Sequence, residues 1–242
     1  MIDSEAYAFY RETLVTLSET GVDFLLGGGF AVCHYTGLQR DTKDMDICLL
    51  GKDCPKVLKY FAEKGFDTEL TDVRWLAKIK RNKYYTDLIF DSAHGICTVD
   101  NSWFEHATKG KFCQMDINIV PVEELIWCKS YVWNRERFDG ADINHLLLKQ
   151  GRGIDWNRLL LRMDAHWQIL LAEILIFQFI YPSEYQQIVP KWLFDELISR
   201  AQDQWMLPSA VEKVCRGPMI DSTQYHTDIR EWLYLCYTIK TV

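Results

Sequence analysis

Three consecutive glycines, Gly27-Gly28-Gly29, follow the apolar run Phe24-Leu25-Leu26, and an Asp-x-Asp pair, Asp44 and Asp46, comes next along the chain. A third carboxylate, Asp87, interrupts the apolar stretch Tyr84-Tyr85-Thr86-Asp87-Leu88-Ile89-Phe90. In a strand, side chains alternate between faces, so Asp44 and Asp46 share one side while Met45 and Ile47 turn to the core. Two carboxylates that close repel each other unless something positive neutralises them. Magnesium suits the task, being hard, oxygen-liganded and commonly shared with substrate phosphates. Glycines after a strand let backbone N–H groups approach a phosphate, and a following helix start adds its dipole. Taken together, the order glycine turn, Asp-x-Asp, later Asp points to a site holding magnesium and a triphosphate.

Taken singly, each feature has a plainer meaning. A glycine run is a tight turn, and an Asp-x-Asp is a solvated strand end. Asp91 shares the strand face of Asp87 and competes with it as third carboxylate, and Asp116 is an outsider. His34 reads as a helix-packing side chain, with nucleotide contact as the alternative. Arg40, Thr42 and Lys43 precede the carboxylates and either contact phosphate or shape the loop. The basic clusters Lys78, Lys80, Arg81, Lys83 and Lys109, Lys111 read as solvated faces.

The elements that must position these residues follow from periodicity and punctuation. Residues 5–20 carry Tyr7, Tyr10, Leu14 and Leu17 at helical spacing, and Gly21 ends that helix. Strands are expected over 22–26, 44–50, 74–80, 84–90 and 115–120, with helices over 30–35 and 56–64. This alternation predicts an α+β domain over residues 1–120, a small mixed sheet with flanking helices. From Pro121 the pattern changes to helices over 121–135, 138–148, 155–163, 167–181, 191–204 and 227–239. Residues 121–242 are therefore expected to form an all-helical domain, and seven of the nine tryptophans fall there.

A net charge of -7 argues against a protein coated in basic surface for duplex nucleic acid, though not against a local basic groove. The eight cysteines form no C-x-x-C pair and read as free thiols in the core. Residues 167–181 are apolar but too short to span a bilayer. The first residues read as a helix start rather than a leader, so a soluble, cytoplasmic protein is expected.

The run Gly28-Gly29-Phe30-Ala31-Val32 followed by Arg40, Thr42, Lys43, Asp44 and Asp46 resembles the nucleotidyltransferase superfamily that includes the polymerase-β-like enzymes. It is most similar to small bacterial members of the minimal, antibiotic-modifying and toxin–antitoxin-associated type. In that pattern Gly28 and Gly29 match the glycine pair, Asp44 and Asp46 the metal-binding pair, and Asp87 the third carboxylate. Two departures stand out: a longer interval between Gly29 and Asp44, and Gly29 where many catalysts carry Ser. The run from Val120 to Lys129, with Arg135, Arg137, Asp139 and Asp142, resembles the helix following the catalytic sheet. The resemblance implies a magnesium-dependent enzyme with two metal ions on Asp44, Asp46 and Asp87. It moves an NMP from an NTP to an acceptor hydroxyl and releases pyrophosphate. Gly28, Gly29, Arg40, Thr42, Lys43 and Lys129 are the implied nucleotide contacts. The acceptor is left open among a small molecule, a protein and an RNA. The alternatives are an inactive nucleotide-sensing or partner-binding relative, and the toxin of a toxin–antitoxin pair.

Overall fold

The computed structural model describes residues 3–42 and 44–237, and the chain divides into two compact units, one ending at Pro121 and the other beginning at Val122. The first unit opens with α1 (Ser4–Glu19), capped by the Asp3 carboxylate, which accepts from the Ala6 N–H at 2.8 Å. Phe9, Tyr10, Leu14 and Leu17 form its buried stripe. The two-residue strand β1 (Leu25–Leu26) runs into α2 (Gly28–Thr36), and β2 (Met45–Cys48) follows. Next comes α3 (Cys54–Glu63), with Pro55 in its first turn and Gly65 at φ +81° beyond its end. Three strands then pair in succession: β3 (Asp67–Asp72), β4 (Leu76–Arg81) and β5 (Tyr84–Ile89). A short α4 (Asn101–Glu105) precedes the hairpin of β6 (Thr108–Phe112) and β7 (Met115–Ile119).

These seven strands make one mixed sheet in the order β3-β4-β5-β2-β1-β7-β6. The central strand β2 runs antiparallel to β1 and parallel to β5, with Asp46 opposite Asp87 and Ile47 opposite Leu88. One face of this centre is almost wholly apolar, with Met45, Ile47, Ala77, Ile79 and Leu88 at zero exposure and Thr86 the one polar side chain among them. The other face carries the charged residues of the same strands. Alternation along each strand thus separates core from chemistry.

Two strands of this sheet carry no clear sequence signal. The outer strand β3 is mostly exposed and polar, so nothing alternates along it. The β6–β7 turn places Cys113 and Gln114 at φ +49° and +61°, the two positive values of a tight hairpin turn, without the usual Asn-Gly signature.

The second unit contains α5 (Val122–Lys129), then a hairpin of β8 (Trp133–Asn134) and β9 (Arg137–Phe138). It continues with α6 (Gly140–Gln150), α7 (Trp156–Met163), α8 (Trp167–Ile180), α9 (Tyr185–Ile188) and α10 (Lys191–Met206). Last come β10 (Val214–Cys215), α11 (His226–Arg230) and β11 (Leu235–Cys236), which pairs in parallel with β10. The helix expected over 121–135 stops at Lys129, because Trp133 and Phe138 pair across the hairpin with ring centroids 5.6 Å apart. The helix expected over 227–239 ends at Arg230. Leu233 takes φ +58° and turns the chain into β11, and residues 238–242 lie outside the described residues.

This unit buries several charges. Glu124 is fully buried between Arg158 and Arg162. Glu173, in the middle of apolar α8, is 1% exposed, and no hydrogen bond of good geometry reaches its carboxyl oxygens. Burial pushes that carboxyl up to about 7, partly offset by Trp133. No helix of the described residues is long and apolar enough to cross a membrane.

Candidate active site

The first helical turn of α2 is built from the glycines themselves. Gly27 is held by its N–H donating to the Asp46 carbonyl at 2.9 Å, and Gly28 takes φ +54°. A side chain is excluded there, since a Cβ on Gly28 would stand 2.5 Å from Cγ and 2.8 Å from Cβ of Asp46. A Cβ on Gly29 would meet Thr42 Cγ2 at 2.7 Å and an Arg40 terminal nitrogen at 3.6 Å. The glycine backbone therefore lies directly against Asp46, Thr42 and Arg40. The first N–H groups of a helix lack intrahelical partners, and they sit beside the carboxylates here.

Asp46 and Asp87 are register partners on the parallel strands β2 and β5, and both are half-buried. Asp44 precedes β2 rather than lying in it, and Tyr85 of β5 donates its hydroxyl to Asp44 Oδ2 at 3.2 Å. Thus Asp46 and Asp87 stand side by side, Gly28 lies against Asp46, and Asp44 precedes it on the same strand end. Burial pushes the Asp87 carboxyl above its ordinary range, against the pull of Lys78, and the Asp44 charge adds to the rise. The Tyr85 hydroxyl is raised by burial and by Asp44.

The remaining expected residues separate. Arg40 is exposed and Thr42 half-buried beside Gly29, with the Thr42 hydroxyl buried and without a hydrogen-bond partner. Lys43 lies outside the described residues. Asp91 sits beyond the end of β5 and accepts from its neighbour Ser92 N–H at 2.7 Å and from Thr98 Oγ1 at 2.6 Å. The His34 ring packs against Gly110, where an added Cβ would come within 2.7 Å of it. Asp116 lines a cavity of about 450 Å³ with Lys109 and Asn118. That cavity and another of about 380 Å³ beside Lys52 and Lys56 both reach Val22 and Asp23, and neither contains the site carboxylates.

Lys129, an implied nucleotide contact, has its own carboxylate partners. It lies in the second unit, buried, with its ammonium 2.7 Å from Asp139 and 2.8 Å from Asp142. A charge enclosed that fully by two carboxylates is already neutralised, and it holds α5 to α6.

Lys78, expected on a solvated basic face, is instead largely covered beside Asp87. It is the register partner of Asp87 across β4–β5, with its ammonium 2.6 Å from Asp87 Oδ1 and 4.3 Å from the centre of the Tyr85 ring. The signal was present. Arg81 pairs with Tyr84 around the two-residue turn Asn82-Lys83, with Asn82 at φ +56°, and counting back from that turn puts Lys78 opposite Asp87.

Among the described residues, no three His, Cys, Asp or Glu side chains are gathered closely enough to hold a metal ion as they stand. The donor set still fits a hard divalent cation. Asp46 and Asp87 face the same way on neighbouring strands, Asp44 is one alternation from Asp46, and Asp87 is engaged on its β4 side by Lys78.

Three solved structures show what the chain is similar to. The lincosamide antibiotic adenylyltransferase LnuA, lincomycin-bound, is 21% identical over 60% of this chain and 96% of its own, with a TM-score of 0.43. The antibiotic-resistance factor ANT(2'')-Ia is 13% identical over 83% and 99%, with a TM-score of 0.45. An antigenic nucleotidyltransferase-like protein from Paracoccidioides brasiliensis is 16% identical over 76% and 92%, with a TM-score of 0.48. No substrate is carried across from these likenesses. No curated protein matches the sequence. Residues 6–162, which include the glycines, the three carboxylates and Lys78, match a family model, and the chain belongs to that family, "Nucleotidyl transferase of unknown function (DUF2204)".

Proposed function

We propose that the chain is a magnesium-dependent nucleotidyltransferase that moves an NMP from an NTP to an acceptor hydroxyl. The observation that carries this reading is the register of β2 and β5, which sets Asp46 beside Asp87 while Gly28 closes against Asp46. Asp44, Asp46 and Asp87 would hold the metal, which supplies charge neutralisation for the entering and leaving oxygens when bound. The N-terminal N–H groups of α2, bare of side chains at Gly28 and Gly29, receive the phosphates. Arg40 and Thr42, beside Gly29, border the same anion site. Lys43, between Thr42 and Asp44 in the chain, is proposed to complete it.

Asp87 takes the proton of the acceptor hydroxyl. The acceptor oxygen forms a bond to the α-phosphorus as the bond to pyrophosphate breaks. Positioning and electrostatics supply most of the acceleration in such a reaction. We assign residues 1–120 to catalysis and residues 121–242 to acceptor selection. The eight cysteines, all free thiols, suit a reducing cytoplasm.

The test is incubation with each labelled NTP, magnesium and cell extract, followed by identification of the labelled small molecule, protein or RNA. Asp44→Ala and Asp46→Ala should abolish label transfer; transfer at the wild-type rate in both would end the proposal.

A further inference from the structure

Three strands carry a single row of side chains across the charged face of the sheet: Lys78 on β4, Asp87 on β5 and Asp46 on β2, each the register partner of the next. The Lys78 ammonium bridges Asp87 at 2.6 Å, with the lysine side chain 21% and the aspartate side chain 14% exposed. The same ammonium lies 4.3 Å from the centre of the Tyr85 ring, and the Tyr85 hydroxyl donates to Asp44 Oδ2 at 3.2 Å. Lys78 is thus linked directly to one carboxylate of the site and through Tyr85 to another. Its neighbour Lys80 is paired outward with Glu69 of β3, so the two lysines of one strand face have different partners.

The setting differs from that of an ordinary cross-strand pair. Such pairs stabilise hairpins by holding opposite charges at a solvated surface. Here the aspartate is also wanted by a divalent cation, and the ammonium, bound to Asp87 Oδ1, neutralises the charge that would attract the cation and repels it. We propose that Lys78 is a positioning residue, a resident counter-ion that holds Asp87 in place in the metal-free protein and gives it up to the divalent cation. This inference rests on the metal-binding reading above. Metal affinity is then set by an exchange, lower than three carboxylates alone would give, and the site stays ordered between turnovers. Removing the ammonium removes the competitor and leaves the carboxylates with less to neutralise them, and both effects favour the divalent ion.

The experiment measures Mn²⁺ binding to the full chain without nucleotide, from the electron paramagnetic resonance signal of free Mn²⁺. Wild type is compared with Lys78→Met, Lys78→Arg, Asp87→Asn and the double variant Lys78→Met/Asp87→Asn. Exchange predicts that Lys78→Met binds Mn²⁺ about tenfold more tightly and shows a larger rise in Tm on adding the metal. Lys78→Arg keeps the charge and grips the carboxylate through two N–H groups, so it folds and binds Mn²⁺ more weakly than wild type. The gain from Lys78→Met disappears in the Asp87→Asn background. A purely structural role predicts the opposite sign, with Lys78→Met binding metal no better or worse. Mn²⁺ bound by wild type with equal affinity in the Met and Arg variants overturns the exchange and leaves the metal site standing. No Mn²⁺ binding by wild type or by Lys78→Met overturns the metal reading and the exchange with it.

Discussion

Replacing Gly28 by alanine isolates the contact on which the site depends. The new Cβ would collide with Asp46 Oδ2 and lie 2.5 Å from its carboxyl carbon, whereas ordinary contact begins at 3.4 Å, so that carboxyl must retreat by at least about 1 Å. A displacement of about 1 Å at a reacting centre lowers the rate on the order of a hundredfold. Alanine must also adopt φ +54°, which costs roughly 1 kcal/mol of stability. Gly37 supplies the control. It has φ +72° at the C-terminal end of α2, and an added Cβ there meets nothing within 4 Å. Gly37→Ala therefore carries the backbone strain without the collision. Both variants should lose a few degrees of Tm, while Gly28→Ala alone should lose about a hundredfold in initial rate of labelled nucleotide transfer. Equal rates in the two variants, or a Gly28→Ala rate within a few-fold of wild type, would refute the argument that the glycine exists to let the backbone close on Asp46.

Glu173→Gln tests the buried carboxyl of α8. The folded-state value of about 7 lies above the ordinary 4.5, so the folded chain keeps this proton between those values while the unfolded chain releases it. Stability is full below about pH 4.5, falls as pH rises towards 7 and then levels, a loss of about 3 kcal/mol at 1.36 kcal/mol per pH unit. The glutamine variant should lack that fall in urea unfolding between pH 4.5 and 8, and parallel profiles would show that Glu173 does not carry it. Lys129→Met leaves Asp139 and Asp142 without their shared ammonium and should destabilise the chain by about 3 kcal/mol or more in denaturant unfolding. Normal stability with a raised KM for NTP would restore the phosphate role instead. Asp91→Asn should weaken the turn after β5 by about 1 kcal/mol and leave transfer intact, since its partners are Ser92 and Thr98; loss of transfer comparable to Asp87→Asn would move the third carboxylate to Asp91.

Much of this architecture was legible in the residues. The stripe Tyr10, Leu14, Leu17 and the alternation Met45, Asp46, Ile47 are local patterns, and each element they predict is present because one face must be buried. Beyond Pro121 the pairs β8–β9 and β10–β11 stand among the helices, and two-residue strands are too short to leave an alternating pattern. The polar strand β3 was not legible, because a solvated sheet edge has no buried face to mark it. The hairpin at Trp133 and Phe138 was not, because its stability comes from two rings meeting across the turn.

The site divides along the same line. Sequence alone determined that glycines at a strand-to-helix turn precede two carboxylates of equal parity and a third in a later strand, because those relations are local and follow from backbone geometry. Only the tertiary structure decided that Asp87 stands opposite Asp46, that Lys78 stands opposite Asp87, and that Lys129 is enclosed by Asp139 and Asp142. Those relations depend on strand register and helix packing. A shift of one residue in β5 would turn Asp87 to the apolar face and leave every local pattern in the sequence unchanged.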